Sequence, residues 1–158
     1  MKYLVSMLSI MLFGASIYAQ ETQKEDAKDA KALVEGKRFE FVAESANPLR
    51  GRTIYLSPGY TFTVLPDSLI SDLPYYGRAF QASMDPADAG IKFTSTKFDY
   101  EVKPRKKSGW DVNIKPNDGS RPKIFLSVST SGTGTLRITS VDRESISYSG
   151  YIRTPRKK

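Results

Sequence analysis

The sequence contains no cysteine and no histidine, and the two absences exclude several classes of enzyme. Without these residues the chain has no thiolate nucleophile, no histidine for a Ser-His-Asp triad, and none of the usual nitrogen and sulfur ligands of a zinc site. Disulfide bonds are excluded as well, so the fold must be stabilised by the packing of its core.

Acid–base chemistry that needs only two carboxylates is the catalytic route that remains open. The acidic residues of the predicted strands all fall on the outward face of their strand: Glu40, Glu44, Asp99, Glu101 and Asp111. The glycine-rich segment Ser131–Gly134 lacks the lysine and the helix of a phosphate-binding loop and is typical of a hairpin turn. We therefore expect no catalytic residue, no cofactor and no metal site.

One long apolar run is present, and it is too short to cross a membrane. Leu4–Phe13 follows the positively charged Lys2 and is about ten residues long, the length of the apolar part of a signal peptide. Small residues follow it, which places cleavage after Ala19. With no cysteine near this junction, a lipid-anchored lipoprotein is excluded. We expect a chain exported to the periplasm or secreted; an uncleaved anchor is the competing interpretation.

Charge and composition divide the rest of the chain. The formal net charge is +7, and +6 without the first 19 residues, because Lys2 is their one charged residue. Such a charge favours anionic partners and is also common in soluble exported proteins. Residues 20–36 are rich in Glu, Lys, Asp and Ala and predict a helical or flexible leader that ends at Gly36. Residues 37–152 then form one β domain, and 153–158 a disordered basic tail.

Period-two alternation of apolar and polar residues dominates the β domain. Because alternate residues of a strand point to opposite faces, each run places its apolar residues on one side. Four runs lie between residues 98 and 152: Phe98, Tyr100 and Val102; Trp110, Val112 and Ile114; Ile124, Leu126 and Val128; Ile146, Tyr148 and Ile152. Five earlier strands are predicted at Arg38–Glu44, Thr53–Leu56, Tyr60–Leu65, Ser68–Leu73 and Ile91–Phe93. About eight or nine strands in meander order, with a short N-terminal helix, predict a mainly β protein: a small antiparallel β-barrel or sandwich.

One hairpin register follows from charge. If Val102 faces Val112, Lys103 meets Asp111 and Asp99 meets Lys115, whereas the alternative pairing of Val102 with Trp110 opposes two acidic residues. The first register is therefore predicted. Its loop, Pro104–Gly109, carries three adjacent cations at an exposed tip: Arg105, Lys106 and Lys107. This tip either contacts an anionic surface or is simply solvated.

The stretch Leu73–Gly90 interrupts the β pattern with a loop rich in aromatic residues. Aromatic rings beside arginines can stack on a planar or sugar ligand while a guanidinium binds an anionic group; alternatively, the rings plug one end of a barrel. On the first interpretation, the ligand-binding residues are Arg50, Arg52, Tyr75, Tyr76, Arg78 and Phe80. Asp85 and Asp88 are too few for a calcium loop and predict a solvated turn.

Several uncommon strings occur in order along the chain: FEFVAE from Phe39, NPLRGRT from Asn47, the Leu73–Phe80 loop, GIKF from Gly90, and Gly109-Trp110 with Ile114-Lys115-Pro116. In these strings the chain resembles the family of domain of unknown function 4251, found in exported proteins of Bacteroidota. The resemblance covers about residues 30 to 152. It implies a single periplasmic or secreted β domain and brings no known activity.

Three functions of different classes are compatible with these residues. The first is a non-catalytic binding module for a small amphipathic or anionic envelope molecule. The second is a structural or interaction protein of the envelope that uses the basic tip and the basic tail on an anionic surface. The third, a carboxylate-dependent enzyme, requires two acids in one cleft. Nucleic acid is not an expected partner, because the cations cluster at loops and a terminus, and we expect a monomer.

Overall fold

The computed structural model describes residues 29–80, 90–118 and 122–156. The predicted signal sequence, residues 20–28, Asp85, Asp88, Lys157 and Lys158 lie outside the described residues. The described residues form ten strands: β1 (Phe39–Pro48), β2 (Ile54–Tyr55), β3 (Thr61–Val64), β4 (Leu69–Pro74), β5 (Gly90–Ser95), β6 (Phe98–Pro104), β7 (Trp110–Pro116), β8 (Lys123–Val128), β9 (Thr133–Thr139) and β10 (Ile146–Arg153). The mainly β prediction is confirmed.

The strands form one antiparallel sheet that curls into a nearly closed barrel. Its order is β5-β4-β3-β1-β10-β9-β8-β7-β6, with the short β2 pairing beside β1. Apart from β2, and from β5 and β6 at the two edges, strands that are adjacent in sequence pair with each other, and β1–β10 pairing joins the first strand to the last. The predicted meander order is therefore confirmed.

The two edges of the sheet, β5 and β6, are consecutive in the chain. Because neighbours along the nine-strand path alternate in direction, β5 and β6 run the same way. A side-by-side parallel pair would need a crossover of a dozen residues or more, and only Thr96 and Lys97 separate them. One bent segment therefore pairs first with β4 and then with β7. At the bend, Ser95 Oγ donates to Asp118 Oδ1 at 2.6 Å.

The core fills the inside of the barrel. Each predicted apolar face points inward: Phe39 and Phe41 of β1, and Leu126 of β8, are fully buried. Along β1 the alternation shifts at a bulge between Ala43 and Ser45, so Ser45 and Ala46 are both buried. The inward residues of β6 are only half-buried, since that strand lies at the seam.

A short helix, α1 (residues 29–35), precedes β1. Its Ala30 and Val34 are buried, at the helical spacing that the sequence indicated. The Tyr100 hydroxyl donates to the Val34 carbonyl oxygen at 2.6 Å, which ties the helix to β6. The chain then turns at Gly36 and Lys37, where Lys37 has a φ of 50°.

The charge argument predicted the register of the β6–β7 hairpin correctly. Val102 pairs with Val112, Lys103 with Asp111 and Asp99 with Lys115. Its loop brings Arg105 Nε within 3.7 Å of Asp111 Oδ1. This tip lies at the end of the barrel where β1 begins, since antiparallel hairpins alternate between the two ends.

One strand was missed by the sequence pattern. β9 contains Gly134 and only two large apolar residues, Leu136 and Ile138, which are buried. A Cβ atom at Gly134 would lie 2.6 Å from the carbonyl oxygen of Ser127, so close strand contact explains the glycine. At the C-terminus, β10 includes Arg153, whose Nη2 lies 2.6 Å from Glu40 Oε2.

The closest backbone approach between β1 and β10 lies at Gly150. A Cβ atom there would lie 1.9 Å from the Val42 carbonyl oxygen. We expect Gly150→Ala to reduce the free energy of unfolding by about 3 kcal/mol, because the two strands must move apart. Urea unfolding checks this, with Ser147→Ala on the same strand as the control. A loss no larger than that of the control would contradict the prediction.

Candidate functional site

Residues 75–80 follow β4 and cross the end of the barrel to reach the loop between β9 and β10. Ala79 and Arg143 form an antiparallel bridge. On either side of this bridge, the Phe80 amide donates to the Asp142 carbonyl oxygen at 2.7 Å, and the Glu144 amide donates to the Arg78 carbonyl oxygen at 2.9 Å. The aromatic loop is therefore fixed to the β9–β10 loop by backbone hydrogen bonds.

Tyr75 is held within this crossing. Its hydroxyl donates to the carbonyl oxygens of Arg78, at 2.9 Å, and Glu144, at 3.0 Å. The Arg143 guanidinium lies 5.1 Å from the centre of its ring. Burial raises the pKa of Tyr75, while the Arg143 charge opposes the rise. One ring face and the hydroxyl are thus engaged within the protein, as the plug interpretation requires.

Next to Tyr75 in the chain, the carbonyl oxygen of Pro74 accepts a hydrogen bond of 2.6 Å from the hydroxyl of the buried Tyr148. This bond joins β10 to the end of β4 across the barrel interior. Desolvation raises the pKa of Tyr148 well above its usual range, so the hydroxyl keeps its proton. Two hydrogen-bonded tyrosines therefore lie at this end of the barrel.

The structure brings together four of the six predicted ligand-binding residues. Tyr75, Arg78 and Phe80 contact the β9–β10 loop through the bonds described above, and Arg50 Nε lies 3.9 Å from Glu144 Oε1. Tyr76 is half-buried and packs against the core. Arg52 lies exposed in the loop between β1 and β2.

A cavity of about 140 Å³, here called the rim notch, lies between β5 and the β9–β10 loop. Its apolar walls include Ile91, Ile138 and Ile146, which are nearly fully buried. Its polar edge is formed by Lys92, Ser140, Asp142, Arg143 and Glu144. The notch lies along the unpaired side of β5, which is an edge strand of the sheet. No described strand fills this space.

Arg143 is the best-placed cation at the notch. Its Nη1 donates to the Gly90 carbonyl oxygen at 3.0 Å, and its Nε lies 3.5 Å from Asp142 Oδ2. Its side chain is 21% exposed. A guanidinium has five N–H donors in a rigid plane, so donors remain for an anion after these contacts.

Two carboxylates, Asp142 and Glu144, share the edge of the notch. The outward orientation predicted from the sequence applied only to the acidic residues of predicted strands. Asp142 and Glu144 lie in the β9–β10 loop and were not among them. The Ser140 hydroxyl, which donates to Asp142, lowers the pKa of that carboxyl, and Arg143 adds to the effect. Glu144 faces Arg50. A carboxyl with a lowered pKa remains ionised near neutral pH, which does not suit a general acid.

The sequence reasoning missed Asp142, Arg143 and Glu144 as site residues. Their signal was present: three successive charged residues lie just before the run that begins at Ile146. These three charged residues could be recognised as a hairpin turn only if a strand were predicted before them, and β9 was not predicted. Within the three described ranges, no group of three acidic side chains is arranged to hold a metal ion. No helix among those residues has the length and apolar character needed to span a membrane.

Comparisons with known proteins agree with the sequence resemblance. The family model of DUF4251, a domain of unknown function, matches residues 21–152. The chain is also similar to the crystal structure of a DUF4251 family protein from Bacteroides eggerthii DSM 20697, with 16% sequence identity and a TM-score of 0.60. That similarity covers 82% of this chain and 87% of the other, and it shows a shared fold. No curated protein matches the sequence.

The lowered pKa of Asp142 has a consequence for stability in acid. A carboxyl whose pKa is lower in the folded than in the unfolded state stabilises the fold above its unfolded pKa, and this contribution is lost as the pH falls through the folded pKa. We expect Asp142→Asn to be less stable than the natural protein at pH 6, and the difference to shrink below about pH 4.

Thermal unfolding from pH 6 down to about pH 2.5 measures this difference. Asp99→Asn, on the exposed face of β6, is the control for removing one carboxylate. A difference between Asp142→Asn and the natural protein that is constant over the whole pH range would contradict the assignment of Asp142.

Proposed function

Because this chain belongs to the DUF4251 family, a domain of unknown function, its function must be argued from its own residues, and we propose that it is an exported, non-catalytic binding module whose rim notch holds a small amphipathic anion. The observation that carries the proposal is a notch that has isoleucine side chains in its wall and an arginine at its edge. This pairing of an apolar wall with a few convergent polar groups is typical of small-molecule sites.

The size of the notch limits the apolar part of the ligand. A cavity of about 150 Å³ is large enough to hold benzene. The volume of the notch, about 140 Å³, is similar, and polar side chains line its open edge. Ile91, Ile138 and Ile146 supply aliphatic walls for such a group. The apolar part should therefore have about six carbon atoms, as in a phenyl ring or the end of an acyl chain.

Arg143 selects the polar part of the ligand. The guanidinium is held in place by Gly90 and Tyr75, so little side-chain freedom is lost when it binds an anion. A carboxylate or phosphate matches the paired N–H donors of arginine better than a neutral group does. A carboxylate or phosphate attached to a short apolar group is thus the ligand class that fits.

The absence of a reaction is part of the proposal. The chain has neither histidine nor cysteine, and the pKa of Asp142 is lowered rather than raised. Glu144 is paired with Arg50. These features support binding without chemical turnover.

We expect benzoate to bind in the notch, because its ring fits the apolar walls and its carboxylate can reach Arg143. With isoleucine methyl groups labelled with carbon-13, titration should shift the NMR signals of Ile91, Ile138 and Ile146. The signal of Ile70, on the outer face of β4, should not move. Toluene, which lacks the carboxylate, should bind at least about tenfold more weakly.

The role of Arg143 is tested by Arg143→Gln, which should weaken benzoate binding about tenfold or more, while Arg143→Lys retains part of the affinity. Arg137→Gln removes an exposed arginine from the adjacent β9 and should leave binding unchanged. Equal affinities of Arg143→Gln and Arg137→Gln for benzoate would overturn the proposed site.

Export predicts a defined mature N-terminus. The support for it is the apolar run Leu4–Phe13 after Lys2, followed by small residues that end at Ala19. Expressed in a Gram-negative host, the protein should be recovered from the periplasm or the medium with Gln20 as its first residue, measured by intact mass. Ala19→Arg should accumulate as the precursor, because cleavage needs a small residue at that position. An intact precursor of the natural sequence would contradict export by this route.

A further inference from the structure

Exposed apolar side chains gather at the end of the barrel that residues 75–80 cross. Leu49 is 67% exposed, Phe80 65% and Val141 86%, and these are half of the six large apolar residues that are exposed in the described part of the chain. Each comes from a different loop. Isolated exposed apolar residues are normal, but three at one end of a barrel form a candidate interaction surface.

The three loops lie against one another. Phe80 donates its amide to the Asp142 carbonyl oxygen, next to Val141. Leu49 precedes Arg50, whose guanidinium faces Glu144 of the same β9–β10 loop. The three apolar side chains are therefore held around one loop. Together with Arg50, Arg52 and Arg78 they are here called the rim patch.

The rim patch is positively charged on its outside. Arg50, Arg52 and Arg78 are all exposed. Among the described residues of this region, the Glu144 side chain is 12% exposed and faces Arg50, and the Asp142 side chain, 38% exposed, lies against Arg143 and Ser140. A surface that combines protruding apolar side chains with arginines is complementary to an anionic lipid bilayer.

We propose that the rim patch docks on the surface of an anionic phospholipid bilayer. Leu49, Phe80 and Val141 would insert at the level of the headgroups, and the three arginines would contact the lipid phosphates. This inference goes beyond the proposed ligand site and does not depend on it. It also differs from use of the basic tip, because that tip lies at the opposite end of the barrel and residues 105–109 include no apolar side chain to insert.

Vesicle binding tests the inference directly. The chain is used from Gln20 onward, because the apolar run Leu4–Phe13 would bind lipid by itself. Cosedimentation with vesicles of phosphatidylglycerol and phosphatidylcholine is compared with vesicles of phosphatidylcholine alone. We expect binding to the anionic vesicles, a marked loss at high salt, and little binding to the neutral ones.

Two charge-reversal variants locate the contact. Arg52→Glu with Arg78→Glu changes the net charge by the same amount as Lys106→Glu with Lys107→Glu, which lie at the opposite end of the barrel. We expect the first pair to lower the vesicle partition coefficient at least about tenfold and the second pair to lower it much less. Equal losses in both variants would show a general charge effect and overturn the proposal.

The apolar contribution has its own control. Phe80→Ser with Val141→Ser should lower vesicle binding, whereas Phe125→Ser, on the outer face of β8, should not. Unfolding curves of all variants establish that each is folded. Absence of binding to anionic vesicles would overturn the inference. So would a dimer, detected by sedimentation, that dissociates with Phe80→Ser and Val141→Ser, because the occupant would then be a second copy of the chain.

Discussion

The pairing of β1 with β10 is the interaction on which the rest of the structure depends. The chain consists of two meanders, β1–β5 and β6–β10, which are otherwise connected through the bend at Thr96 and Lys97. β1–β10 pairing joins their far ends and converts an open sheet into a nearly closed barrel. Gly150 permits this contact, because a side chain there would collide with the carbonyl group of Val42. Because the chain has no cysteine, hydrogen bonding and core burial must supply the stability that disulfides give to many small exported domains.

The candidate site follows from the way in which the barrel is closed. β5 and β6 run in the same direction and are joined by two residues, so they cannot pair with each other. Among the described strands, β5 therefore pairs only with β4, and its other side faces the β9–β10 loop. The rim notch occupies that space, and Arg143 spans it by bonding to Gly90 at the start of β5. Among the aromatic residues that suggested a ligand platform, Tyr75 directs its hydroxyl at the backbone carbonyls of Arg78 and Glu144, and the buried Tyr148 nearby directs its hydroxyl at the carbonyl of Pro74.

The two proposed sites share one end of the barrel but use different chemistry. The rim notch combines isoleucine side chains with a guanidinium held by two partners, Gly90 and Asp142, which suits a small anionic molecule. The rim patch is exposed, and its arginines and apolar side chains suit an extended surface. The two sites lie next to each other, at Asp142 and Arg143. Each site nevertheless has its own test, because the notch residues and the patch side chains can be changed separately.

The amino-acid sequence by itself determined the mainly β class, the meander, the inward faces and the β6–β7 register, because period-two alternation and cross-strand charges act locally. It also placed α1, through the spacing of Ala30 and Val34. It could not reveal β9, since close packing of Gly134 against β8 replaces the expected apolar residue. Only the tertiary structure decided which loops meet: Arg50, Tyr75 and Glu144 lie far apart in sequence, and long-range strand pairing brings them together. For the same physical reason, the rim notch is a property of barrel closure, and only its charged edge, residues 142–144, stands out in the sequence.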